Sequence, residues 1–204
     1  MRRIALSFLF TLVFSASSLD IPDARAGEHV RLRKDPAQIS ENDVQSMFTK
    51  YNFFDRTKNT NGAFANDLVD NGDGTVTDRI TGLMWQKEGS PEGMMWSRAT
   101  DYINSLNRER FAGHSDWRLP TIEELASITT RSASSGLHIN PIFTSKQKVC
   151  WSSDSGIVED EYMKDVWIAN FAKGRVVLYM IEDRQQLIGD YMETFYVKGV
   201  RSAR

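Results

Sequence analysis

Residues 70–74 read Asp70-Asn71-Gly72-Asp73-Gly74, and no other stretch constrains this chain so tightly. Asn-Gly and Asp-Gly are the dipeptides that best supply the positive φ angles of a two-residue hairpin. Two of them within five residues force the chain to reverse, so Thr75-Val76-Thr77 reads as a short antiparallel strand. A second turn at Ile80-Thr81-Gly82 leads into Leu83-Met84-Trp85 and extends the pattern to a small meander.

Helices are set among such strands. From about Ser97 to Arg108 the chain places Ala99, Tyr102, Ile103 and Leu106 on one helical face, and Phe111-Ala112-Gly113 ends that helix. Thr121-Ile122-Glu123-Glu124 has the form of a capping box and opens a second, short helix with Ile122, Leu125 and Ile128 on its apolar side. Ser132 to Gly136 reads as a small-residue loop. Val166 to Ala172 and Arg175 to Met180 predict a hairpin turning at Lys173-Gly174, and Thr194 to Val200 a final strand. Residues 66–204 therefore predict one α+β domain with short antiparallel strands and two main helices. Residues 27–65 read as an appended helix and linker: Ser40 caps an acidic first turn, and Val44, Met47, Phe48 and Tyr51 follow at helical spacing.

The N-terminus carries an address. Arg2 and Arg3 precede an apolar run, Ile4 to Phe14, broken only by Ser7 and Thr11, and Ala24-Arg25-Ala26 then offers a cleavage site. Residues 1–26 are expected to be a cleavable secretory signal, with Ala16-Ser17-Ser18 as an alternative cut. The run falls short of the roughly 20 apolar residues a spanning helix needs, and no cysteine follows it to take a lipid. The product is expected in the periplasm or outside the cell, with no transmembrane segment after cleavage. Without Arg2, Arg3, Arg25, Asp20 and Asp23, 22 basic residues face 25 acidic ones, a formal charge near -3. That balance argues against nucleic acid, which is gripped by concentrated positive charge. Cys150 is the single cysteine, so stability must come from a core rather than from staples. Beside Trp151 it reads as a buried small hydrophobe, a disulfide-linked dimer being the alternative.

Several segments, taken in order, resemble the C-terminal domain family of the Legionella collagen-like adhesin. They are Asp70 to Asp78, Thr81 to Trp85, Trp96 through Leu106-Asn107, and Gly113-His114-Ser115-Asp116-Trp117-Arg118-Leu119-Pro120-Thr121. Glu124-Leu125, Ile139-Asn140-Pro141-Ile142-Phe143, Trp151-Ser152-Ser153 and Val200-Arg201 continue the series. The resemblance spans roughly residues 66–204 and implies a C-type-lectin-like fold. More distantly, the helix followed by Arg-Leu-Pro-Thr is similar to an arrangement in formylglycine-generating enzymes. The family's namesake carries collagen repeats and is associated with sulfated glycosaminoglycans; this chain has no such repeats and is slightly acidic.

The Asp-rich turn invites a calcium reading. An EF-hand-type loop needs oxygen ligands at positions 1, 3 and 5 before its glycine, and either alignment here puts Val69 on a ligand position. The turn is therefore read first as a tight hairpin, with Asp70, Asp73 and Asp78 as candidate calcium ligands beside it. The Glu-Pro-Asn and Gln-Pro-Asp triplets of sugar-binding C-type lectins are absent. Trp85, Trp96, Trp117, Trp151 and Trp167 sit among core-like neighbours and read as core, although an exposed tryptophan can stack on a sugar. Asp116-Trp117-Arg118 reads as a structural ion pair shaping the loop before Pro120.

No enzymatic constellation stands out. His29, His114 and His138 are scattered without metal-ligand spacing. Ser145-Lys146-Gln147-Lys148 matches S-x-x-K without its companion motifs. Formylglycine-generating chemistry needs a cysteine pair, and one cysteine cannot supply it. The expectation is an exported non-catalytic binding module for a glycan or an envelope or extracellular protein. The alternative is a structural or sensory scaffold whose 27–65 helix docks a protein partner.

Overall fold

The computed structural model describes residues 29–157, 163–182 and 194–203; the signal segment expected over residues 1–26 lies outside them. In chain order the described elements are β1 (Gln38–Ile39), α1 (Glu41–Tyr51), β2 (Leu68–Asp70), β3 (Thr75–Asp78) and β4 (Leu83–Gln86). They continue with α2 (Trp96–Arg108), α3 (Ile122–Ser127), β5 (Thr129–Ser134), β6 (Leu137–Ile139), β7 (Val149–Gly156), β8 (Met163–Asn170), β9 (Arg175–Glu182) and β10 (Val200–Ser202). One sheet runs β1-β7-β8-β9, a second β10-β4-β3-β2, and β5-β6 form a separate ribbon. The domain is α+β.

α1 and α3 begin where the sequence places them, because side chains satisfy their free N–H groups. Ser40 Oγ accepts from Asp43 N, and Asp43 returns the bond to Ser40 N at 2.9 Å. Thr121 and Glu124 make the same reciprocal pair at α3. Glu124 is fully buried and also takes two bonds from Arg118, at 2.7 and 2.5 Å.

Strands β7 and β8 are buried on both faces and β9 partly so, with Met180 exposed, and alternate residues feed two different cores. Trp167, Ala169 and Val176 point to one cluster with Phe48, Trp85, Leu125 and Ile128. Trp151, Val166 and Ile168 point to the other with Ala99, Ile103, Leu106 and Trp117. α2 covers that second face with the residues its periodicity selects. Each large apolar side chain buried this way stabilises the fold by about 1.5–3 kcal/mol. Trp167 Nε1 donates to Ile39 O, and Trp151 Nε1 to Met94 O, so the indoles bury without losing a bond.

The N-terminal segment is woven into this body. β1 pairs in parallel with β7, and α1 turns Val44, Met47 and Phe48 into the first core. Asp154, fully buried on β7, accepts from both Arg33 Nη atoms at 2.7 Å, from Ala37 N and from Ile122 N at the start of α3. One carboxylate thus ties segment, sheet and helix together.

Two local expectations differ from the fold. The small-residue stretch 132–136 is a β-ribbon turning at Ser135 and Gly136, both with positive φ, rather than a plain loop. The final strand is shorter than Thr194 to Val200. Phe195 and Tyr196 instead make single bridges to Met94, before α2, and to Cys150 on β7 before β10 begins. The hairpin at Lys173-Gly174 forms as expected, with Gly174 at φ 61° and the His138 ring where a Cβ would stand.

Candidate functional site

The β2–β3 turn, the residue after β4, the tip of the β5–β6 ribbon and the loop after β6 border an open cleft of about 470 Å³. That size lies within the roughly 300–1,000 Å³ of small-molecule sites. Its apolar lining is Ile139, Pro141, Ile142 and Phe143, and its small polar lining residues are Ser134, Ser135, Thr144 and Ser145, with the Thr144 hydroxyl turned to Glu88 O and Gln147 Oε1. Asn140 shapes the floor: its side chain accepts from Ile142 N at 3.0 Å and its carbonyl from Phe143 N. Two charged side chains line the cleft, Asp70 and Lys87, and they pair with each other. The Lys87 ammonium, with the Gly72 N–H, holds the Asp70 carboxyl below the usual carboxylate range.

Behind the cleft lies a buried polar wall. Lys198 is fully buried, and its Nζ donates to Lys87 O at 2.9 Å and Gln86 O at 3.1 Å. The same atom stands 4.8 Å from the centre of the Phe143 ring. Gln86 bonds Tyr102 and Gly199, while Gln147 Nε2 donates to Ser90 O and Val197 N to the Ser90 hydroxyl. Burial pushes the Lys198 ammonium down to about 8, against opposing attraction from Cys150 and Glu88. The amine therefore braces both the polar side and the aromatic floor of the cleft. Sequence reasoning passed over Lys198; its signal was a lone lysine inside the apolar run Val197-Lys198-Gly199-Val200.

The structure distributes the three candidate calcium ligands instead of converging them. Asp70 lies on the cleft, and Asp73 folds back on Thr75 N and Oγ1 in the turn. Asp78 sits buried at the far end of β3, accepting from Asn66, Asp67 N, Ile80 N and Thr81. Among the described residues no group of three or more His, Cys, Asp or Glu side chains is placed to hold a metal ion.

The remaining motif residues take structural places. Trp85, Trp117, Trp151 and Trp167 are core, and half-buried Trp96 donates to Ser152 O. Asp116 and Arg118 do not pair with each other: Asp116 holds Arg201, and Arg118 holds Glu124. His29, His114 and His138 contact Arg79 O, the Trp117 ring and Thr130 O respectively. Cys150 is fully buried, where burial pushes its thiol up to about 12.

A family model, the Lcl C-terminal domain, matches residues 74–188, more than half of the chain. The chain belongs to the Lcl C-terminal domain family. Comparison with curated proteins and with solved structures finds no match. Within the Lcl C-terminal domain fall Lys87 and the 134–145 side of the cleft, while Asp70, Lys198 and all of α1 lie outside the matched residues.

Proposed function

We propose that this Lcl C-terminal domain protein is an exported, non-catalytic binding module that recognises a glycan in the cleft between the β2–β3 turn and the β5–β6 ribbon. The observation that carries this reading is the cleft itself, with small polar residues and one ion pair beside an apolar lining. Sugars present both hydroxyls and C–H faces, and such a surface answers both. Family membership supports a non-catalytic domain. So does the state of the two conspicuous nucleophiles: the Cys150 thiol is held protonated and the Lys198 amine is sealed behind Phe143. The N-terminal residues support export. Docking through the 27–65 helix is the weaker alternative, since Val44, Met47 and Phe48 are occupied by the chain's own core.

The test is a broad glycan array probed with the purified protein, with and without calcium, beside pull-downs from an envelope extract. Saturable binding to a defined glycan class is expected. No glycan binding in either condition, together with a stable protein partner, would sink the lectin-type reading.

A further inference from the structure

We infer that the cleft takes an uncharged sugar residue, Asp70 and Lys87 together clasping two neighbouring hydroxyls. This rests on the glycan reading above and deepens it by fixing the chemical class of ligand and the side chains that choose it. Among the described residues that line the cleft the charges are one carboxylate and one ammonium already in contact, and the Lys198 ammonium behind Phe143 is fully buried and spent on the Gln86 and Lys87 carbonyls. A sulfate or carboxylate ligand would meet no unpaired cation there, and Asp70 would repel it. Concentrated positive charge is what holds such groups. A diol meets a different surface. An ionised carboxylate only accepts and an ammonium only donates. One hydroxyl can therefore donate to Asp70 while its neighbour accepts from Lys87.

The pair is suited to opening for a ligand. Asp70 and Lys87 are 40% and 31% exposed, and an ion pair that open to water contributes little by itself. Inserting hydroxyls between the two exchanges one set of charge-assisted bonds for another. The backbone beneath Lys87 does not have to move, because Lys198 holds its carbonyl from inside. Half-buried Ile142, backed by Phe143, then offers an apolar surface to the sugar's C–H face, with Ser134 and Ser145 among the residues around it.

The experiment titrates the purified full chain, isotope-labelled for amide NMR, with a panel of neutral monosaccharides and, separately, with a heparin-derived hexasaccharide. The expected result is saturable shifts from at least one neutral sugar around Asp70, Lys87 and residues 139–145. Asp70→Asn and Lys87→Met should each weaken that binding by roughly tenfold, since each removes a bond to a charged group. Ser145→Trp, at an exposed position beside the cleft, should block it while melting like the parent. Three outcomes overturn the inference. If the hexasaccharide binds in a salt-sensitive manner and no neutral sugar does, the ligand class is wrong but glycan recognition stands. If a neutral sugar binds equally well to all three variants, the site is wrong. If neither probe binds and a broad array is also blank, the glycan reading falls with it.

Discussion

Lys198 Nζ lies 2.9 Å from the Lys87 carbonyl oxygen, joining a fully buried amine to the residue whose side chain pairs with Asp70 across the cleft. This buried amine has a pH signature. Its folded value of about 8 lies below the ordinary 10.5, so between those values the unfolded chain binds more protons than the folded one. Folding stability must then rise as pH climbs through that window, and the cost of the buried charge is fully present below pH 8. Urea unfolding of the parent, compared with Lys198→Met across the same pH range, should reveal a rise of about 1–3 kcal/mol that the variant lacks. Parallel curves for the two proteins would contradict it.

Removing the carboxylate that ties the N-terminal segment to β7 and α3 should be severe. Asp154→Ala strands Arg33 and the N–H groups of Ala37 and Ile122. A loss of roughly 3–5 kcal/mol is expected, as when one partner of a buried pair is deleted. Arg98→Ala, which breaks the exposed Arg98–Asp101 pair, should change stability by less than about 1 kcal/mol. Chemical denaturation of both variants makes the comparison, and similar losses would refute the clamp.

Trp117 fills the second core, with its Nε1 bonded to Phe111 O and its backbone N–H to Asn107. Trp117→Ala should cost roughly 3–5 kcal/mol, the range for emptying a buried aromatic site. Calorimetry reads this directly. A variant that melts like the parent yet loses its ligand would make Trp117 a contact residue instead.

Cys150 has no exposed surface, and its thiol is held far above neutral pH. A thiol-specific reagent should leave the native protein unmodified and label it once urea unfolds it, because only an accessible thiolate reacts. Rapid labelling of native protein, or a reducible dimer on a gel, would show the site to be open.

What the sequence made legible was local. Ser40 with Asp43 and Thr121 with Glu124 announce helix starts because each cap is complete within four residues. The turn at Gly174 needs its glycine for the φ it adopts. The rest depends on partners far along the chain. Residues 132–136 lack the apolar alternation of a strand, and β1 pairs with a strand more than a hundred residues away. Asp116 finds Arg201, 85 positions on, and leaves Arg118 two positions on to Glu124. The cleft is the extreme case. Asp70, Lys87, Ser134 and Phe143 share no motif, and only packing brings them onto one rim.

The sheet with a core on each face has a consequence for alignment. In a strand pair with one wet face, a one-residue slip would throw apolar side chains into water, and solvent would police the pairing. Along β8 the same slip would exchange Trp167 and Ala169 for Val166 and Ile168, one dry compartment for another. Burial alone separates those alignments poorly. The distinction falls to side-chain size, Trp167 against Val166, and to a few directional contacts: the tight reversal at Gly174, the Val176 N–H donating to Asp55, and the Trp167 indole reaching Ile39. In this protein greasiness makes the sheet cohere, and a handful of polar pins tell it where to stop sliding.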